Sequence, residues 1–501
     1  MIFESIGHIS NKEDFAEKML IYIRLVEVLA ERDNISIPQV YSPSDKMIKE
    51  MKDMGLINSD KDIALFKKGV AGNYIRFLSA LSFYLKHREL YGNQLDKLSN
   101  KKRRELQEKE AKTNKPKMVD FFAGAGGLSC GFTQAGFKVS FANDFEDVCV
   151  RTYRYNHPEL PSNSVLKEDI RKIVSDIDDY VKEDIDVVVG GPPCQGFSSA
   201  NQQRIIDDPR NELYKYYIEA IKKICPKIVV MENVRGMLSV ANQVVEDYRA
   251  IKIQKNDHEY TYDVAYRLLN SMNFGVAQSR ERLIYIAVRN DISTSKQVTP
   301  EVLFKEIENS YIKHEPYNLK AALEFIKPLE APRIKGMTET DDEKTGMKVG
   351  ANTYDSSGNE YLSSINQRRQ IPYVFNHKAR YCSDVNYEIF KRLDQGEDST
   401  SPKIADIMPY AHRNGIFKDK YFKLYADKPC RTITAHLRMD CLSHIHPYQI
   451  RSITPREAAR VQSFPDDYLF LGAYLKTYMQ IGNAVPVLMA KQIANVIKRY
   501  I

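Results

Sequence analysis

Residues 187–199, VVVGGPPCQGFSS, place a thiol, Cys194, directly after two prolines at the end of an apolar β-branched run. Proline cannot continue a central strand, so two in succession end it and project the next side chain at the sheet edge instead of packing it in the core. A thiolate nucleophile needs that access, with nearby positive charge or a helix N-terminus to lower its pKa from about 8.5. The run KIVVM ends in Glu232, Asn233 and Val234. A carboxylate at the mouth of an apolar strand can take a raised pKa and donate a proton; standing alone, it would as readily cap a helix or face water. In QSRERLIYIAV, Arg280 and Arg282 fall on one side of an extended segment. Paired guanidinium groups suit a phosphate, a carboxylate or a polar base edge; their bland alternative is a solvent-facing strand edge. Gly124, Gly126 and Gly127 form a tight turn that opens a helix, and Asp144 follows Gly124 by 20 residues. Nucleotide-binding folds place an acid for a ribose hydroxyl at that distance. The pattern is GxGG, suited to a dinucleotide or any adenosyl cofactor, and Asp169, after VLKE, is placed to line the same pocket.

These groups need strands to carry them. From Val119 onward the runs MVDFF, KVSFAND, DIDVVVGG, KIVVMEN and RLIYIAV alternate with helical periods. That alternation argues for βαβ units and a parallel, doubly wound sheet, in which ligands sit at the carboxyl ends of the strands. Before it, EDFAEKMLIYIRLVEVLAER and NYIRFLSALSFYLKHREL space apolar residues at three and four, as helices do, and DKLSNKKRRELQEKEAKTNKPK reads as a solvated helix or linker. Between about 291 and 425 the pattern turns irregular and rich in Asn, Gln, Tyr, Arg and Gly, before α/β texture resumes near 450. An insertion interrupting one domain accounts for this.

A length of 501 residues, 43% hydrophobic and 28% charged, supports two or three domains and excludes a mainly disordered chain. No apolar run approaches the roughly 20 residues that span a bilayer, and MIFESIGHIS lacks the regions of a signal peptide. A cytoplasmic protein with no membrane partner is expected. The seven cysteines form no CxxC pair, and their odd number argues against a disulfide framework. Cys430, Cys441, His444 and His446 have the spacing of no common zinc site, so no metal is expected. A net charge of +7 suits a polyanionic partner without requiring one.

Taken in chain order, DFFAGAGGLSCGF, GGPPCQGFS, MENVRG, QSRERLIYI, RSITPREAARVQSFPDDY and YMQIGNAVP resemble the cytosine-5 DNA methyltransferases of bacterial restriction–modification type. The resemblance covers about residues 118 to 501, and FNHKAR, DKPCRTITAHL and IHP add to it. Phe121 and Ala484 stand where the family commonly has Leu and Ser. The resemblance implies a doubly wound, Rossmann-like α/β methyltransferase domain that uses S-adenosylmethionine, with an inserted target recognition domain and a helical N-terminal extension. The corresponding division is 1–117 helical region and linker, 118–290 first catalytic part, 291–445 target recognition and 446–501 catalytic return segment. It assigns Cys194 as the nucleophile adding to carbon 6 of cytosine and Glu232 as the acid at ring nitrogen 3, supported by Arg280 and Arg282, with Asn233 ordering the loop. It sets S-adenosylmethionine against Phe122, Gly124, Gly126, Leu128 and Pro192. Asp144 takes the ribose, Phe145 and Ile170 flank the adenine near Asp169, and Asn483 and Val485 lie by the donor group.

The resemblance further implies that the base is extruded from duplex DNA into the pocket. It assigns the polar residues Gln195, Ser198, Gln202, Gln203 and Arg204 to the segment that closes over it and Arg210 to a phosphate contact, and Thr432 with Ile433 matches the family's Thr-aliphatic marker in the DNA-reading region. A cognate restriction endonuclease is the implied partner in the same system; a solitary regulatory enzyme suits the same residues. An RNA-directed relative, a dinucleotide oxidoreductase and an inactive DNA-binding homologue are the rival readings. The long insertion favours duplex DNA over RNA, an oxidoreductase leaves Pro192, Pro193 and Cys194 idle, and an inactive homologue is expected to have lost Cys194 or Glu232.

Overall fold

The computed structural model describes residues 12–89, 95–96, 99–193, 212–353, 358–409 and 420–501. Among them, one eight-stranded sheet is built from β1 (Lys117–Phe121), β2 (Lys138–Asp144), β3 (Val165–Lys167), β4 (Val187–Gly190), β5 (Ile228–Val234), β6 (Lys252–Lys255), β7 (His258–Asn270) and β8 (Glu281–Arg289), in the order β3-β2-β1-β4-β5-β8-β7-β6. The half from β3 to β5 is parallel and reverses direction of winding at β1 and β4. Such a switch point opens a crevice beyond the strands' carboxyl ends. Val187, Val189, Ile228 and Val230 face one core, while Val188, Val229 and Met231 face the other. Strands buried on both faces explain why these segments read as unbroken apolar runs.

The other half departs from a purely parallel sheet. β8 runs antiparallel to β5, β7 to β8, and β6 to β7. β6 and β7 are joined over Asn256 and Asp257, whose φ of 52° and 60° are those of the mirror-image turn that matches strand twist.

The C-terminal segment returns to the first strand. Behind β1, the helix Gly127–Gln134 lies against the helix Val487–Ile497. A Cβ on Gly127 would fall 2.5 Å from the Val485 carbonyl oxygen, and one on Gly131 2.5 Å from the Ala490 Cβ and 2.7 Å from the Val487 oxygen. The two backbones meet with no room for a side chain between them.

Residues of the segment 291–445 are shared among three cores, one of them that of the N-terminal helices. Leu303, Phe304, Leu319, Tyr361 and Leu362 join the core of the sheet, whereas Cys382, Ile389, Phe390, Tyr421, Leu442 and Ile445 help to form a small core of their own. Between them, β9 (Gly346–Ala351) pairs antiparallel with β10 (Tyr373–Lys378). The N-terminal helices Lys12–Arg32, Asp45–Asp53, Ile63–Val70 and Tyr74–Lys86 bury Ile23, Leu25, Phe66, Phe77 and Leu81. That core continues without a break into Tyr155, Val349, Tyr373, Phe375, Leu469 and Leu471. Among the described residues no helix is long and apolar enough to cross a membrane.

The stretch 451–468 is almost wholly buried despite its charged residues. Thr454 and Glu457 form a reciprocal cap with Pro455 at the first helical position, and Glu457 also takes both terminal nitrogens of Arg451 at 2.8 and 2.6 Å. Arg460 pairs with both oxygens of Asp466 at 2.7 and 2.9 Å and donates to the Glu324 carbonyl at 2.7 Å. Arg456 donates to the carbonyls of Phe375, Pro465 and Tyr468.

The glycine contact predicts a stability effect. Gly131→Ala should cost about 1 to 3 kcal/mol by overpacking, read as a lower urea midpoint. Gly69→Ala has no atom within 4 Å of the new Cβ, so in its helix it should leave the midpoint unchanged or raise it slightly.

Candidate active site

A cleft of about 650 Å³ opens where β1, β2, β4 and β5 end, a size that suits a nucleotide-sized ligand. Its floor is the turn after β1. Phe122, Gly124 and Gly126 all have left-handed backbone, with φ of 56°, 56° and 89°. A Cβ on Gly124 would meet nothing within 4 Å, so this glycine serves the backbone conformation and close approach from the cleft. Phe122 has no such freedom and stores strain at the site. Gly126 does not line the cleft; a Cβ there would fall 2.8 Å from the Tyr468 hydroxyl and 3.0 Å from the Tyr153 ring.

Asp144, at the end of β2, accepts from the Gly124 N–H at 2.9 Å and from the Glu146 N–H at 2.8 Å, tying two walls together. Burial pushes its carboxyl upward against these donors. Phe145 is 70% exposed at the rim, and Ile170 is buried behind it. Asp169 caps the helix Ile170–Ser175 and accepts from the Arg171 guanidinium at 3.0 and 2.7 Å, which holds its carboxyl below the usual range. Leu128, Pro192, Asn483 and Val485 complete the walls.

Asn143 and Gln480 are among the lining residues that were not predicted. The amide nitrogens of Asn143 and Gln480 donate to the Glu168 carbonyl at 3.1 Å and the Leu471 carbonyl at 2.9 Å, while each amide oxygen is buried with no partner among the described residues. Orphaned acceptors await a donor, and the hydroxyl and amino groups of an adenosyl ligand are donors of that kind. Together with the open Gly124 face and the exposed ring of Phe145, they make the cleft fit S-adenosylmethionine. Their signal in the sequence is adjacency alone: Asn143 precedes Asp144, and Gln480 lies within YMQIGNAVP.

Glu232, at the end of β5, receives the Arg282 Nε at 2.7 Å, with side chains 12% and 13% exposed. The antiparallel direction of β8 makes this pair. Arg282 stands opposite Val234, so the beginning of β8 lies at the cleft edge of the sheet. A Cβ on Gly191 would come within 3.1 Å of the Glu232 Oε2, so glycine there leaves the carboxylate its place. The Asn233 side chain donates to the Pro192 carbonyl at 2.9 Å and accepts from the Val234 N–H at 2.9 Å, pinning the diproline turn. Pro193 lines the same cleft as Glu232. Cys194, Gln195, Ser198, Gln202, Gln203, Arg204 and Arg210 lie outside the described residues. The six cysteines that are described are all buried, and burial pushes Cys130, Cys382, Cys430 and Cys441 up to about 12.

Arg280 is not in the cleft. Its guanidinium is completely buried and donates to the carbonyls of Ile433, Gly482 and Ala484, behind Asn483. Thr432 donates its hydroxyl to the Ser279 carbonyl at 3.0 Å in the same joint. Beneath the glycine turn, the fully buried Asp120 accepts from the Ser129 hydroxyl at 2.5 Å, and that oxygen accepts from Tyr153 at 2.6 Å. Burial pushes the Asp120 carboxyl up to about 7.

A sheet wound in this way, with this cleft at its switch point, has the Rossmann-like architecture that methyltransferases share with other nucleotide-binding enzymes. Residues 116–499 match the family described as C-5 cytosine-specific DNA methylase, and the chain belongs to it. Its activity is therefore methylation of cytosine in DNA. The chain is 32% identical over 403 residues to the Type II methyltransferase M.DdeI of Desulfomicrobium norvegicum, covering 76% of this chain and 88% of that protein. It is 30% identical over 437 residues to the Type II methyltransferase M.AgeI of Thalassovita gelatinovora, covering 76% and 99%. The fold is similar to the crystal structure of a candidate DNA modification methyltransferase encoded within an E. coli prophage, with a TM-score of 0.57, 24% identity and coverage of 76% of this chain and 98% of that one.

Asp120 gives the site a pH signature. Its carboxyl has an ordinary value of 3.8 and about 7 in the folded state. The folded state therefore holds the proton longer, and this contribution to stability is full below about pH 4 and lost as pH rises through about 7. Asp120→Asn, which cannot ionise, should gain on the wild type across that window by up to about 1.4 kcal/mol per pH unit. Parallel stability curves in urea between pH 4.5 and 8 would refute it.

Proposed function

We propose that the chain transfers a methyl group from S-adenosylmethionine to carbon 5 of a cytosine extruded from duplex DNA, with Cys194 as nucleophile and Glu232 as acid. The observation that carries this reading is the Glu232–Arg282 pair beside a diproline turn that Asn233 pins and that leads directly to Cys194. The +7 charge suits the polyanionic substrate.

Carbon 5 of cytosine is a poor nucleophile. Addition of the Cys194 thiolate forms a bond to carbon 6 and pushes electron density toward carbon 5 and ring nitrogen 3. Glu232 meets that charge by donating a proton or hydrogen bond at nitrogen 3, and Arg282 holds the carboxyl in place. Asn143, Asp144, Phe145, Gln480 and Asn483 would hold S-adenosylmethionine, which when bound supplies an electrophilic sulfonium methyl. After transfer, a base takes the carbon 5 proton, the electron pair of that C–H bond re-forms the carbon 5–carbon 6 double bond, and the carbon 6–sulfur bond breaks to release the Cys194 thiolate. Arg280 acts as a positioning residue in this scheme.

We assign residues 118–290 and 446–501 to catalysis and 291–445 to target recognition. The part of the latter with its own small core, together with Thr432, is the DNA-reading surface. Residues 1–117 are a scaffold. The biological role we infer is protection of DNA against a cognate restriction endonuclease in the cytoplasm. The Type II relatives support this.

Tritiated methyl from S-adenosylmethionine should appear in cytosine of mixed-sequence duplex DNA and not in transfer RNA. Cys194→Ala should abolish transfer, and Glu232→Gln should slow it by about 10² to 10⁴. Label in RNA alone, or full activity of Cys194→Ala, would overturn the reading.

A further inference from the structure

Gln278 and Gln462 are both 0% exposed, and their side chains form a chain of hydrogen bonds between two distant segments. The Gln278 oxygen accepts from the Ile433 N–H at 2.7 Å, and its nitrogen donates to the Gln462 oxygen at 2.8 Å. The Gln462 nitrogen donates in turn to the carbonyls of Ile481 at 2.9 Å and Ala484 at 3.3 Å. Each amide turns its oxygen toward Ile433 and its nitrogen toward the C-terminal segment. The ends impose this direction, because a backbone N–H can only donate and a backbone carbonyl can only accept. Neither amide can flip without setting like against like.

A second strut runs beside the first. Arg280 donates to the Ile433 carbonyl and to those of Gly482 and Ala484, at 2.9 and 3.2 Å for the last two, so both backbone groups of Ile433 are held in this joint. The joint is closed at Gly482, where a Cβ would fall 2.2 Å from the Thr434 carbonyl carbon and 2.3 Å from the Ala435 nitrogen. On one side of the joint stands Thr432, and on the other Asn483, which lines the cleft.

We propose that Gln278 and Gln462 are positioning residues: their one-directional amide chain fixes the DNA-reading segment at Ile433 and the cofactor-holding segment at Asn483 in a single register. A break at either amide frees one segment to shift against the other, so the placement of the target strand and of the methyl donor deteriorate together. This rests on the reading above in which Thr432 faces DNA and Asn483 faces S-adenosylmethionine.

The test is steady-state kinetics and thermal melting of Gln278→Met, Gln462→Met and the double variant, with Asn483→Ala as the reference for the cofactor site. Losing a buried hydrogen bond of this kind should raise the KM for S-adenosylmethionine and the KM for duplex DNA about tenfold in each single variant. The double variant should be no worse than the worse single one, since one break already disconnects the chain. Gln278→Asn, which keeps both amide functions one methylene short, serves if the Met variant does not fold, and should raise both KM values less. Multiplying effects in the double variant, or lowered melting with both KM values unchanged, would overturn the proposal and leave the glutamines merely structural. If Asn483→Ala leaves the KM for S-adenosylmethionine unchanged, the cofactor reading fails and the proposal with it. If Asn483→Ala raises that KM while the glutamine variants do not, the positioning chain alone is wrong.

Discussion

Arg280, Arg451, Arg456 and Arg460 carry guanidinium groups that have been taken entirely out of water, and the placement of the active site depends on how those charges are compensated. Removing an ion from water costs several kcal/mol, so each must be repaid where it stands. Arg451 and Arg460 have carboxylates, Glu457 and Asp466. Arg280 and Arg456 have only backbone carbonyls, drawn from segments far apart in sequence. A guanidinium presents its donors in a rigid fork, so the same groups that satisfy the charge also fix the distance between the segments supplying them. Burial alone would push the Glu457 carboxyl up, but Arg451 beside it holds it well below the ordinary carboxylate range. The joint between sheet, insertion and return segment is therefore held by directed bonds as well as by apolar contact. Truncating one partner would strand a buried charge, typically a loss of about 3 to 5 kcal/mol.

Much of this was legible in the sequence, and the failures have physical causes. The β-branched runs gave the strands of the parallel half because burial on both faces calls for short unbroken apolar stretches, and their length and β-branching set them apart from the helical periods between them. Direction is a different matter: nothing in RLIYIAV distinguishes a parallel strand from an antiparallel one, and the antiparallel course of β8 is what brings Arg282 to Glu232. The equivalence of Arg280 and Arg282 failed for a related reason. Two residues apart on one strand, they should share a face, but β8 begins at Glu281. Arg280 precedes the ladder and turns into the joint. Composition likewise cannot show that a cation and an anion six residues apart, such as Arg460 and Asp466, face each other across a helix end and are buried together.

The glycines show how one motif can serve two purposes that the sequence merges. In AGAGGLSCG, Gly124 gives a left-handed turn with a face open to the cleft, whereas Gly126, Gly127 and Gly131 give close packing against Tyr153, Val485 and Ala490. Only the first use is visible as a nucleotide-binding pattern. The second positions Val485, because the helix Val487–Ile497 can approach the helix Gly127–Gln134 this closely only if the latter carries no side chains at those positions. Cofactor floor and cofactor wall are thus set by one glycine turn and the short helix it opens.

The N-terminal bundle extends the same logic beyond the family's boundary at residue 116. Its core does not end at its own helices but runs into Val349, Tyr373 and Phe375 of the two-stranded sheet and into Leu469 and Leu471. Glu17 accepts from the Gly472 N–H at 3.0 Å and from Lys348 at 2.7 Å, joining polar bonds to that apolar contact. Without the bundle, those apolar side chains would form an exposed patch of a kind that soluble chains seldom leave uncovered. Phe375 also supplies a carbonyl to Arg456, and Leu471 supplies one to Gln480 in the cleft. The bundle therefore contacts the strand and the loop on which the buried arginines and the cofactor wall rely, as the scaffold role proposed for it requires.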